Sequence, residues 1–223
     1  MNDTVLVVAA HADDEALGCG GTIARHVAGG CKVHVVFMAD GVTSRPGAER
    51  AELQARLSAA RRAQAILGVS HIHSFGLPDN RMDSLPLLDV IQQLEPVIEE
   101  VRPSLVYTHH HGDLNVDHRI THQAVMTACR PVPGHSVKEI RCFEVLSNTE
   151  WGGDAFPPFM PNIFVDISAY LDVKRAALAA YEDEMRDVPH SRSTVHAEVL
   201  ARHRGYCFGL QAAEAFALAR KVC

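Results

Sequence analysis

Short apolar runs rich in β-branched residues recur along this 223-residue chain, and longer segments with helical spacing lie between them. The runs "TVLVVAA" (4–10), "VHVVFM" (33–38), "HIHSF" (71–75) and "SLVY" (104–107) read as strands, with later ones near Glu139 to Leu146 and Ile163 to Asp166. Helices are expected near Ala16 to Ala28, Ala48 to Leu67, Leu85 to Val101 and His118 to Cys129. Two more, about Ser168 to Asp183 and Thr194 to Arg204, finish the chain. Gly29 and Gly30 punctuate the first helix, and Gly68 suits a left-handed position after the second. Such alternation builds repeated βα units around a mostly parallel sheet. The expectation is a doubly wound α/β fold, Rossmann-like, with helices flanking the sheet. At this length a single domain over 1–223 is expected, with no internal repeat or linker.

The remaining totals exclude several classes. A formal charge of −6 argues against a nucleic-acid footprint, which needs clustered Lys and Arg. The densest basic group, Arg56, Arg61 and Arg62, reads as part of a helix. No stretch approaches the roughly 18 apolar residues of a membrane span. The start "MNDTVLVVAAHADDE" lacks a basic leader, so a cytoplasmic protein is expected. The six cysteines form no C-x-x-C pair, which signals neither a thiolate metal site nor a disulfide framework.

In open α/β sheets ligands collect at the carboxyl ends of the strands. Two polar clusters fall there: "AAHADDEALGCGG" (9–21) after the first strand and "THHHGDLNVDHR" (108–119) after the fourth. A divalent metal suits them, because zinc takes imidazole nitrogen and carboxylate oxygen and catalytic sites use three protein ligands. The spacing His11-x-x-Asp14 lets one turn aim both side chains at one point, and a histidine of the second cluster could complete the set. Asp13 would then lie beside the metal, free to take a proton from a water whose pKa zinc lowers to about 7. The alternative for Asp13 and Asp14 is helix capping, which leaves His11 unexplained. The glycines "GCGG" lack the G-x-G-x-x-G of a dinucleotide site, although a nucleotide-binding module without metal is the rival from another class.

These two segments resemble the signatures of the PIG-L/LmbE family of zinc-dependent N-deacetylases, and "MADGVTSR" (38–45) and "FGLPDNRM" (75–82) stand in the order that family shows. The resemblance covers roughly the first 130 residues and implies zinc held by His11, Asp14 and His118, with Asp13 as general base and later proton donor to the amine. It makes Arg56 a substrate contact and places Asp79, otherwise an ordinary turn residue, near the substrate. Where much of the family has a further histidine, this chain has Asn115, and Ala12 replaces a usual proline. The oxyanion donor is therefore one of His109, His110 or Asn115, while His111 reads as an exposed loop residue. Asp117 either orients a neighbouring imidazole or guanidinium or caps the following helix, and Glu15 begins the first helix and could support a ligand. Arg192, with His190 and Arg204, could bind an anionic part of the substrate, and the loop "WGGDAFPPFMPN" (151–162) is either substrate-side or packing.

The expected activity is a Zn2+-dependent deacetylase, with another divalent metal acceptable, that hydrolyses the N-acetyl amide of an amino sugar or its conjugate to acetate and free amine. The alternative is an amidase or deformylase acting on a related amide. The expected partner is a small N-acetylated sugar, with no nucleic acid and no membrane span, and a homo-oligomer is left open.

Overall fold

The first strand, β1 (Thr4–Ala9), is buried beyond its first residue and lies within a seven-stranded sheet in the computed structural model, which describes residues 3–47 and 50–223. The others are β2 (Lys32–Ala39), β3 (His71–Leu77), β4 (Leu105–His109), β5 (Glu139–Phe143), β6 (Ile163–Asp166) and β7 (Ala213–Lys221), in the order β3-β2-β1-β4-β5-β7-β6. The first five strands run parallel to one another, and β7 runs antiparallel between β5 and β6. Six α-helices accompany them: α1 (Asp14–Ala28), α2 (Arg50–Leu67), α3 (Leu87–Val101), α4 (Val116–Ala128), α5 (Leu171–Ala179) and α6 (Thr194–Tyr206). This is the α/β architecture the alternation implies.

The period of two along each strand divides the core. Val5, Val7, Val33, Val35 and Phe37 pack with residues of α1, α2 and α5 on one side. Leu6, Val8, Val36 and Met38 pack with α3 and α4 on the other. With both faces covered, the central strands read as continuous apolar runs rather than alternating ones.

Several boundaries differ from the sequence reading. β7 is absent from it, because "AEAFALARK" is rich in Ala and its Glu, Leu, Arg and Lys also favour helix; pairing with β5 and β6 overrides that preference. The strand from Glu139 ends at Phe143, short of Leu146. The helix expected over Ser168 to Asp183 is a 3-10 turn (Ser168–Tyr170) followed by α5, which ends at Ala179. α4 starts two residues before His118, which places that histidine inside the first turn. Ala48, the expected start of the second helix, lies outside the described residues.

Helix α1 breaks at Cys19, whose φ of −147° and ψ of 23° are not helical. Groups from the far end of the chain satisfy the break. Glu214 of β7 accepts from the backbone N–H groups of Gly21 (3.0 Å) and Thr22 (2.7 Å), while Lys174 of α5 donates to the Leu17 carbonyl (2.7 Å) and pairs with Glu214 (2.5 Å). The glycines of "GCGG" allow close packing: a Cβ on Gly18 would fall 2.4 Å from the Phe143 ring, and one on Gly21 would fall 2.8 Å from Ile167. Among the described residues no helix is long and apolar enough to cross a membrane.

Candidate metal centre and active site

The strand order reverses between β1 and β4: from β1 the sheet continues to β2 and β3, and from β4 to β5. A crevice opens outside the carboxyl ends at such a switch point. The segment after β1 brings His11, Asp13 and Asp14 to it, and the segment after β4 brings Asp113, Asn115, Asp117 and His118.

Three ligand-type atoms converge. His11 Nδ1 lies 3.3 Å from Asp14 Oδ2, His118 Nε2 lies 3.2 Å from the same oxygen, and the two nitrogens are 3.3 Å apart. All three side chains are buried, and Asp14 Oδ1 has no hydrogen-bond partner. The remaining nitrogen of each ring faces carboxylates. His11 Nε2 is 3.1 Å from both Asp79 Oδ1 and Asp117 Oδ2, and His118 Nδ1 is 3.1 Å from Asp113 Oδ1. A carboxylate on the outer nitrogen fixes the tautomer that leaves the inner lone pair free for a metal. Two imidazoles and one carboxylate, each supported in this way, fit a divalent transition metal.

Electrostatics point the same way. Burial alone would lower both histidine pKa values, but the acids around them win. Hydrogen bonds to Asp117, Asp14 and Asp79 hold His11 well above its usual value. The charges of Asp14 and Asp113 push His118 up to about 9. Burial raises Asp14, yet the His118 charge and the His11 hydrogen bond hold it well below the carboxylate range. Asp79 falls to about 2 against its burial, through His11 and the Ser44 hydroxyl that donates to it. Four carboxylates thus surround two rings, an excess of negative charge that a bound cation would balance.

Asp13 sits beside this centre, wholly buried, with a backbone φ of 133° that non-glycine residues rarely adopt. Its N–H donates to Glu15 Oε2 (3.0 Å), and Glu15 Oε1 accepts from Gln64 (2.6 Å) and the Tyr181 hydroxyl (2.8 Å). Burial pushes the Glu15 carboxyl up to about 7. The Asp13 carboxylate pairs with Arg192 at 2.7 Å and lies 3.8 Å from Arg56. Burial raises its pKa and the two guanidinium groups oppose that rise. Arg56 is itself held by the Ala12 carbonyl (2.9 Å) and by an ion pair with Glu184. Gly41 is required beneath it: φ is +72°, and a Cβ there would meet Arg56 Nε at 2.4 Å.

A cavity of about 170 Å³ opens over these groups, lined by His11, Asp13, Asp79, Asn115, Arg56 and Arg192 among others, and its walls are almost entirely polar. Of the three expected oxyanion donors, only Asn115 faces it. The Asn115 side-chain oxygen caps α4 by accepting from Asp117 N (2.8 Å), and its amide donates to Asn80 Oδ1 (2.9 Å). His109 lies behind the centre, stacked on His118 at 3.9 Å, with Nε2 accepting from Ala10 N (2.8 Å). His110 Nε2 is 2.9 Å from the Pro157 carbonyl, and His111 is exposed. No residue of the 151–162 loop lines the cavity. That loop covers the β4–α4 connection instead, where Phe156 lies 4.4 Å beneath the Arg119 guanidinium.

Asp117 accepts from the backbone of Asn80 (2.7 Å) and Met82 (3.0 Å) as well as facing His11. Glu15 touches the backbone of Asp13 rather than the side chain of His11, Asp14 or His118. His190 packs against Trp151, and Arg204 pairs with Glu144 at 2.9 and 2.8 Å; neither lines the cavity. The sequence reading misses Asp113, Gln64, Tyr181 and Glu184. Asp113 carried a signal, as an acid in the same loop as His118; the other three come from segments that only tertiary structure brings near.

Residues 6–129, which include His11, Asp14 and His118, match the sequence profile described as PIG-L: GlcNAc-PI de-N-acetylase. The chain belongs to this family. Among relatives of this PIG-L protein, the "Uncharacterized deacetylase YaiS" of Escherichia coli (strain K12) is 33% identical over 184 residues, 80% of this chain and 90% of that one. The "Probable N-acetyl-alpha-D-glucosaminyl L-malate deacetylase 2" of Bacillus anthracis is 27% identical, over 81% of this chain and 80% of that one. Among solved structures, the N,N'-diacetylchitobiose deacetylase of Pyrococcus horikoshii superposes with a TM-score of 0.79 at 20% identity, over 98% of this chain and 84% of that one. At that identity the likeness concerns the fold. Tyr181, Glu184 and Arg192 lie beyond the part of the chain that matches the PIG-L profile.

Proposed function

We propose that this PIG-L protein is a metal-dependent deacetylase that hydrolyses the N-acetyl amide of an amino sugar or amino-sugar conjugate, with zinc as the metal. One observation carries the reading: a buried triangle of His11, Asp14 and His118 donor atoms, with the Asp13 carboxylate next to it and outside the triangle, opens into a small polar cavity. The names of the sequence relatives support the acetyl group and the N-acetylglucosamine unit.

Bound by His11, Asp14 and His118, a divalent cation would supply Lewis acidity for the amide carbonyl and for an attacking water. The chain's own groups do the rest. Asp13 accepts the proton of the water at its carboxylate and delivers it to the amine nitrogen as the C–N bond breaks. Arg192 and Arg56 oppose the rise that burial imposes on the Asp13 pKa, and Glu15 holds its strained backbone in place. One N–H of Asn115 goes to Asn80, which leaves the other for the developing oxyanion. Asp113, Asp117 and Asp79 keep the two imidazoles oriented. The polar walls, including the Ser44 hydroxyl and the Asn148 amide, suit sugar hydroxyls.

The test is a panel of N-acetyl, N-formyl and long-acyl amino sugars scored for release of primary amine, with metal content measured on the same sample. Amine release from the acetyl sugars is expected, with Asp13→Asn retaining the metal and losing about 10²- to 10⁴-fold in rate. Near-normal turnover by Asp13→Asn would end the proton-shuttle assignment, and release confined to the formyl or long-acyl compounds would favour the amidase alternative.

A further inference from the structure

Far from the cavity, at the opposite end of the sheet, three imidazoles share one face. β2 and β3 pair in parallel with His34 opposite His71 and Val36 opposite His73. Side chains alternate along a strand, so His34, His71 and His73 all project to the side covered by α3 and α4. His34 is the third residue of β2, His71 is the first of β3, and β3 forms an edge of the sheet.

One pair of these rings has the spacing of metal ligands, and the third stands beside it. His34 Nδ1 lies 3.4 Å from His73 Nε2, and the two rings are stacked with centroids 5.7 Å apart. Two nitrogens sharing one tetrahedral zinc at about 2.0–2.1 Å stand roughly 3.3–3.4 Å apart. The His71 ring centre is 4.9 Å from that of His34. A hydrogen bond between two imidazoles would account for one pair, but it leaves the third ring unexplained. The Glu100 carboxylate, near the end of α3, acts electrostatically on both His34 and His73, and Lys32 opposes it at His34. His71 and Glu100 are exposed, so both can turn inward at little cost. Burial and the neighbouring imidazoles lower the pKa of His34, which leaves lone pairs available at neutral pH.

We propose that His34, His71 and His73, with Glu100 within reach as a fourth ligand, form a second site for a borderline divalent metal ion such as Zn2+, Ni2+ or Cu2+, separate from the catalytic centre. Imidazole is a preferred ligand of all three. A metal here ties the edge strand β3 to β2 and to the end of α3.

The experiment strips the full-length protein with a chelator, desalts it and titrates it with Zn2+, counting bound ions by competition with a chromophoric chelator. The wild type is expected to take up two equivalents. The double variant His71→Ala/His73→Ala should take up one and release amine at the wild-type rate, while His118→Ala should lose the other equivalent and keep this one. The conservative pair His71→Gln/His73→Gln, checked by circular dichroism, covers misfolding of the alanine variant. Cu2+ added as the second equivalent should show nitrogen hyperfine structure from several imidazoles, lost in either double variant. Two equivalents retained after both histidines are replaced would overturn the proposal, as would a single wild-type equivalent that disappears with His118→Ala. A single equivalent lost with His71 and His73 but kept in His118→Ala would uphold this site and refute the catalytic metal centre.

Discussion

Replacing Asp113 by Asn tests how the second motif serves the metal. In the wild type Asp113 Oδ1 lies 3.1 Å from His118 Nδ1, and Asp113 is wholly buried, fixed by the Asn115 N–H (2.9 Å) and the Thr149 hydroxyl (2.7 Å). Losing such an orienting carboxylate typically costs 10- to 100-fold in metal affinity, or about 1.4–2.7 kcal/mol. A second effect runs the other way. In the metal-free protein Asp113 helps push His118 up to about 9, so at pH 7 a proton occupies the nitrogen the metal needs. Displacing that proton weakens metal binding about 100-fold at pH 7, and the weakening vanishes near pH 9. Asp113→Asn lowers the His118 pKa and therefore suffers less from this competition. The affinity deficit of the variant should be modest at pH 7 and reach its full size at pH 9. Competition with a chromophoric chelator at pH 7, 8 and 9 measures it, and calorimetry in buffers of different ionisation enthalpy should show fewer protons released at pH 7 by the variant. Equal affinities at pH 9, or a deficit that shrinks as pH rises, would refute the reasoning.

Three further outcomes follow from the same geometry. Arg192→Ala removes one of two positive charges that oppose the rise in the Asp13 pKa, so the acidic limb of the pH–rate profile should move to higher pH, with Arg192→Lys intermediate. Because the His118 pKa is raised above its unfolded value, the metal-free protein should carry that stabilisation in full below about pH 6.5 and lose it as pH rises through about 9. Thermal melts should show this decline in the stripped protein and little of it in the metal-loaded one. Lys174→Met leaves Glu214 buried without its cation and should destabilise the fold by about 3–5 kcal/mol, read from denaturant unfolding.

Much of the fold was legible because its central strands are buried on both faces, and continuous β-branched runs such as "VLVV" have few other uses. The three residues proposed to hold the metal were legible as a polar group because strand-end chemistry concentrates them in two short segments. β7 was not legible, since its Ala-rich composition favours helix and only its neighbours make it a strand. Nothing in the sequence around Arg56 and Arg192 shows that both guanidinium groups stand against Asp13. Local sequence does not reveal a salt bridge across 179 positions. His109 and His110 shared the apparent accessibility of "HHH", but the end of β4 turns one ring behind the centre and the other toward Pro157.

The break in α1 has a consequence for how this protein comes to exist. The bonds that close it join residues 193 and 192 positions apart, between the start of the second half of α1 and Glu214. Contacts of such separation form late, after the intervening chain has been made and collapsed. A nascent chain that has emerged only through residue 129 carries both sequence motifs but neither the clamp on α1 nor Tyr181 or Arg192. Binding at the proposed metal centre should therefore arise abruptly, once the chain through Glu214 has emerged, and not grow with the length of chain exposed.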